Sequence, residues 1–207
     1  MYESQIVFFV LTSLVVISIP GQDMVLVMSR GMTQGAKAGI VTAAGVSIGL
    51  LGHTVLAALG LGALLMSSEV VFTILKYIGA AYLAYLGLKL IFSHATEFEL
   101  NNANPKPLKK LFIEGSLSNI SNPKVTIFYF AFLPQFISTD IQDPEVFLLV
   151  LGFSFAVLTF LIKAPVGLFA GYASLWIRSR PIVIKLINRL SGVVLVSLGI
   201  KLAFEER

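Results

Sequence analysis

Two prolines sit where continuous apolar helices would otherwise run. Pro20 opens Pro20-Gly21-Gln22-Asp23, and Pro123 lies in Asn122-Pro123-Lys124; each stands beside a charge inside an apolar stretch. Proline removes a helix hydrogen bond and clashes with the carbonyl four residues back, here the carbonyls of Val16 and Asn119. In lipid, broken backbone is tolerated only where it faces protein or a water-filled cavity. The two breaks therefore predict a substrate path through a membrane.

Composition supports the membrane setting. Of 207 residues, 57% are hydrophobic and 13% charged, against about 25% charged in soluble domains. A span takes about 20 mostly apolar residues, and six apolar segments can be read at 5–29, 38–65, 70–92, 111–136, 146–176 and 182–203. None alternates with period two, which favours helices over a barrel. The expectation is an all-α integral membrane protein with six transmembrane helices, the first and fourth broken. The fourth begins with Glu114, Ser116, Ser118, Asn119, Ser121, Asn122 and Lys124, polar on every face, and is expected to be shielded by other helices. Met1-Tyr2-Glu3 lacks the basic start of a cleaved signal peptide. The absence of cysteine excludes thiol chemistry.

The charges lie in the loops and alternate. Arg30 and Lys37 mark the first loop, Lys106, Lys109 and Lys110 the third, and Arg178 and Arg180 the fifth; the fourth carries Asp140, Asp143 and Glu145. The positive-inside rule places loops one, three and five in the cytoplasm and both termini outside. The net charge of +4 follows from this topology and does not call for nucleic acid. Tyr172 and Trp176 beside Arg178 read as an interfacial anchor.

The chain also reads as a repeat. Gly79-Ala80-Ala81-Tyr82-Leu83-Ala84-Tyr85-Leu86-Gly87-Leu88-Lys89-Leu90 matches Ser191-Gly192-Val193-Val194-Leu195-Val196-Ser197-Leu198-Gly199-Ile200-Lys201-Leu202 without gaps. Segments one and four match in kind through their proline breaks. A single transporter domain follows, with repeat one at 1–93, a polar linker at 94–110 and repeat two at 111–207. Three helices per repeat force the second to insert inverted, and the site is then expected where the breaks meet near the midplane.

Asp23 and Lys124 lie just after their breaks, at equivalent points. Embedded charges are costly unless paired or functional, so proximity is expected: the two bind a zwitterion, carry a coupling proton, or form a static pair. Lys163 in segment five competes with Lys124 for Asp23 or meets a substrate carboxylate, with snorkelling towards an interface as the bland alternative. His53 in segment two is a proton-relay candidate, with a hydrogen-bonded packing histidine as the bland alternative. Pro20, Gly21, Gln22, Ser118, Asn119, Asn122 and Pro123 supply freed backbone, amides and hydroxyls for substrate contact or for capping the broken ends. The glycines of Gly35-x3-Gly39 and Gly45-x3-Gly49 read as packing. No metal, cofactor or nucleotide site is expected. Ser47 and His53, six apart, do not share a helix face for hydrolytic catalysis.

Pro20-Gly21-x-Asp23, Ser29-Arg30-Gly31 and Gly35-x3-Gly39 with Gly45 resemble the N-terminal signature of the LysE/RhtB amino-acid exporter family. Lys76-x2-Gly79-Ala80-x-Tyr82-Leu83-x-Tyr85-Leu86-Gly87 is similar to its third helix, and Asn119-x2-Asn122-Pro123-Lys124 with Phe132-Leu133-Pro134-Gln135-Phe136 to its central motif. Leu190-Ser191-Gly192 to Leu198-Gly199 also fits. The resemblance implies a bacterial cytoplasmic-membrane exporter of amino acids or derivatives (homoserine, threonine, lysine and leucine-like species among them), driven by proton antiport and acting as a small homo-oligomer. The family commonly has Pro-Gly-Pro where this chain has Gln22, and Lys163 is not a position associated with it. Two alternatives stand beside this reading: an exporter of an organic cation or metal ion, and a membrane-embedded enzyme or accessory subunit, for which no catalytic constellation is visible.

Overall fold

The computed structural model describes residues 2–67, 69–92, 105–136, 143–170, 172 and 181–204. These form helices and no strands: α1 (Tyr2–Ser18), α2 (Gln22–Gln34), α3 (Ala36–Ser67), α4 (Glu69–Ile91), α5 (Leu108–Ile120), α6 (Pro123–Phe132) with a 3-10 turn (Leu133–Phe136), α7 (Pro144–Leu168) and α8 (Pro181–Phe204). Both expected breaks are present, so segments one and four each become two helices. Residues 94–104 of the 94–110 linker, Asp140, Trp176, Arg178 and Arg180 lie outside the described residues, while the end of the linker already forms the first turn of α5.

The chain exposes large apolar side chains and buries ionisable and amide groups within an otherwise apolar interior. Leu59, Phe153 and Phe204 are 67%, 60% and 81% exposed, while Asp23, His53 and Asn119 are 3%, 2% and 1% exposed. Only a lipid surround stabilises that distribution. Among the described residues, three stretches are long and apolar enough to cross a membrane: Ala36–Gly60, Pro144–Leu168 and Lys185–Phe204. The pair Ile6–Ser18 and Gln22–Gln34, bent by 58°, makes a fourth if counted as one span.

α3 organises the interior through glycine contacts. Gly39 meets Gly167 and Thr54 meets Gly152, so α3 and α7 run antiparallel. A Cβ on Gly39 would lie 2.5 Å from the Gly167 carbonyl oxygen, which shows how closely the backbones approach. Gly45 abuts Phe112 and Gly49 abuts Ser116, so α5 runs parallel to α3. Gly87 against Gly192 and Gly199 against Ala80 hold α4 antiparallel to α8. Gly35, at φ +86°, turns α2 into α3 in a left-handed conformation that favours glycine.

α5 departs from the expected all-round polarity. Ile113, Leu117 and Ile120 form an exposed apolar stripe. The polar groups turn the other way: Ser116 donates to the Gly45 carbonyl, and Asn119 is buried. Helical spacing separates the two sets, which a linear scan had merged. Arg30 is also not a loop charge. It lies in α2, buried, with its guanidinium 2.7 Å from Glu114.

Candidate functional site

The first break is local in origin. The last turn of α1 closes with the Ile19 amide donating to Val15, at 3.2 Å. Pro20 has no amide to return to Val16. α2 then starts after Gly21, an N-cap with no side chain to satisfy the amides of the first turn. At the second break Asn122 caps α6, its Oδ1 accepting from the Lys124 amide at 3.1 Å.

The Asn119 carbonyl, which Pro123 cannot serve, is satisfied from elsewhere. The Asn122 amide donates to it at 2.9 Å, and His53 Nε2 approaches it at 3.2 Å from α3. A carbonyl only accepts, so Nε2 must carry the proton. Among the described residues His53 Nδ1 has no hydrogen-bond partner. The contact fits the capping role for His53, and the ring does not line the cavity beside it.

Asp23 is the centre of the buried polar cluster. Its Oδ2 accepts from Asn119 Nδ2 at 2.8 Å and meets Lys163 Nζ at 3.5 Å; its Oδ1 lies 3.5 Å from Ser118 Oγ. The Asp23 and Lys163 side chains are only 5% and 9% exposed. The expected Asp23–Lys124 proximity therefore does not take the form of an ion pair: Lys163 is the partner. α7 crosses α3 closely enough to bring Lys163 to α2, a contact that spacing along the chain does not encode. The Lys124 ammonium lies against Gly21, 3.6 Å from where a Cβ would stand, and no carboxylate among the described residues lies within 4 Å of it.

These groups share one cavity between the two breaks. Gly21, Gln22, Asp23, Asn119, Asn122, Lys124 and Lys163 line it, with Val16, Ile17, Ile19, Met24, Leu50, Val125, Phe128, Phe155 and Thr159. Its volume is about 40 Å³, enough for a small number of ordered waters. The Pro20 and Pro123 rings and Ser118 are not in the lining. Asp23 lies eleven residues from the end of α2, about 16 Å along the axis.

A second, open cavity adjoins the first. This vestibule, about 1050 Å³ by the same measure, is lined by Gln22, Ser29, Arg30, Lys106, Lys110, Glu114, Ser118 and Ser121 among others. Glu114 bridges Arg30 at 2.7 Å and Lys106 at 3.0 Å, both N···O. Sequence reading missed this triad because Glu114 registered only as polarity. It also missed Thr159, although its place four residues before Lys163 puts both on one helix face. Among the described residues no cluster of His, Asp or Glu is fit to hold a metal.

The model of the LysE type translocator family matches residues 14–206. The chain is 37% identical to the uncharacterized membrane protein YrhP of Bacillus subtilis, an alignment covering 88% of this chain and 90% of the relative. It is 30% identical to the leucine efflux protein of Klebsiella pneumoniae, over 91% and 89% of the two chains. An uncharacterized membrane protein of Vibrio cholerae is 31% identical, over 94% of each. No solved structure matches the chain. A family model spanning nearly all the residues, joined to relatives aligned almost end to end, places this membrane protein in the LysE type translocator family, a transporter and not an enzyme.

Proposed function

We propose that the chain exports amino acids with neutral, apolar side chains from the cytoplasm across a bacterial cytoplasmic membrane. The observation that carries this is the cavity where the two breaks meet. Lys124 brings an ammonium with no carboxylate within 4 Å among the described residues, and the start of α2, whose N-cap Gly21 offers no side chain, adds first-turn amides and the positive end of a helix dipole. Together they suit a substrate carboxylate. The Val16 carbonyl, freed by Pro20 on a residue of the lining, suits the substrate ammonium. Ile17, Met24, Val125, Phe128 and Phe155 then surround the side chain with apolar groups. Two ammonium groups and one carboxylate disfavour a cationic solute here, whether an organic cation, a metal ion or a basic amino acid. The leucine efflux proteins among the relatives agree with an apolar side chain.

Six crossings as two inverted repeats, with substrate bound by Gly21, Gln22, Asn119, Asn122 and Lys124, complete the reading. The helix crossings support it. The α4–α8 contact, bounded by Gly87–Gly192 and Ala80–Gly199, centres on Leu83 and Leu195, which the repeat makes equivalent. The α3–α7 contact, bounded by Gly39–Gly167 and Thr54–Gly152, centres on Val46 and Thr159, within one position of the same interval. A two-fold axis in the membrane plane would bring equivalent residues together at both crossings. Proton coupling through Asp23 fits its place at the cavity against Lys163, and His53 acts by holding the Asn119 carbonyl. The family resemblance also carries a homo-oligomer.

The test is efflux from dipeptide-loaded bacterial cells, with and without the chain, analysing all released amino acids together. A selective rise in apolar species is expected. No rise with the protein present in the membrane would refute amino-acid export, and a rise confined to lysine or arginine would refute the apolar selectivity.

A further inference from the structure

We propose that Gln22 and Ser118 form the gate between the inner cavity and the vestibule, on the face of loops one and three. The inference rests on the inner cavity being the substrate site, and it identifies which barrier moves. Gln22 is the residue that lines both spaces through a side chain bonded across the divide: its Nε2 donates to Ser118 Oγ at 3.3 Å. Ser118 lines the vestibule and reaches back to Asp23. The partition is thus one side-chain hydrogen bond thick where a solute would pass.

The rest of the α2–α5 seam has the same character. Arg30 pairs with Glu114, and the Gln34 amide donates to the Lys106 carbonyl at 2.9 Å. Such polar contacts are replaced by water when the seam opens, each at a net cost of about 0.5–3 kcal/mol. Both helices are held from behind by α3: α5 through Gly45 and Gly49, α2 through the turn at Gly35. The seam can therefore part without unpacking either helix from α3.

The opposite side of the cavity is built differently. Phe128 stacks on Phe132, Phe132 meets Phe136 edge-on at 4.9 Å, and Phe9 stacks on Phe132 at 5.9 Å. Phe128 also touches Phe155 of the lining. Parting these rings would undo buried aromatic packing throughout the layer. The asymmetry assigns the thin barrier to the side where the vestibule already opens, and where Lys37 in the first turn of α3 and Lys106 and Lys110 at the start of α5 gather their charge. By the positive-inside rule that side is cytoplasmic, so the gate is the one through which an exported solute enters.

The absence of native cysteine gives a clean labelling test in the full chain. Thr159→Cys places a thiol in the cavity lining, and Val125→Cys is a second probe site should the first fail to insert. Labelling by a membrane-impermeant thiol reagent is followed in inside-out and right-side-out vesicles. Gln22→Ala and Ser118→Ala should each speed labelling from the face of loops one and three by about two- to tenfold, the population shift expected from losing one hydrogen bond. Unchanged rates in both variants, or an equal gain from both faces, would overturn the assignment. The readout needs no substrate. Missing amino-acid efflux together with one-sided acceleration would remove the substrate reading and still support the gate.

Discussion

Asp23→Asn should abolish transport, and a companion change at Lys163 should restore stability without restoring transport. The carboxylate and the ammonium are 3.5 Å apart. At an effective dielectric constant of about 20, two unit charges at that distance attract by about 5 kcal/mol. Much of this offsets desolvation of two side chains only 5% and 9% exposed. Removing one partner is therefore worse than removing both: a lone buried charge costs about 3–5 kcal/mol. In Asp23→Asn the new amide can still accept from Asn119 and Lys163 through its oxygen and turn its NH₂ to the Ser118 hydroxyl, but it no longer neutralises the Lys163 ammonium. Lys163→Met leaves Asp23 its bonds to Asn119 and Ser118 and should cost somewhat less. In the double variant most of the loss should return, with a coupling of about 3 kcal/mol. Unfolding of the purified protein in detergent measures the cycle, and cell efflux measures transport. Additivity within about 0.5 kcal/mol would refute an energetic pair. Full efflux in Asp23→Asn would remove the carboxylate from the mechanism.

Lys124→Gln should insert and fold normally, because no carboxylate among the described residues depends on it. Its half-saturation for substrate should rise about tenfold or more, the loss of a charge-assisted bond; unchanged affinity would take the lysine out of the carboxylate site. His53→Phe should lower stability by about 0.5–1.5 kcal/mol by removing one of the two donors to the Asn119 carbonyl. His53→Gln should recover both stability and efflux, whereas normal stability with no efflux would make the imidazole a proton carrier. Gly39→Ala should destabilise by about 1–3 kcal/mol in the same unfolding measurement, since its Cβ meets the Gly167 backbone. Gly60→Ala, with nothing within 4 Å, should instead gain about 0.5–1 kcal/mol; equal responses at the two glycines would refute the close α3–α7 crossing.

Much of the site was legible along the chain. Gly21, Gln22, Asp23, Asn119, Asn122, Lys124 and Lys163 were singled out by residue type at a break or within an apolar run, and all seven line one cavity. Ser118 was singled out in the same way, and it lies at the partition instead. Thr159 and the phenylalanines were not singled out, because an apolar or hydroxyl residue in an apolar helix looks the same whether it faces lipid or a cavity. The Arg30–Glu114–Lys106 triad escaped notice because its members come from helices more than eighty residues apart and from the end of the linker.

The sequence by itself determined where the helices break, since proline acts on its own turn through covalent geometry and a missing amide. It therefore also determined which carbonyls would be left over, those of Val16 and Asn119. Only the tertiary structure decided what meets them. His53 reaches the Asn119 carbonyl, and Lys163 rather than Lys124 reaches Asp23, because glycine contacts set how α3 lies against α5 and α7. Pairing between helices depends on crossing geometry at the scale of an ångström, and no local rule along one chain carries that distance.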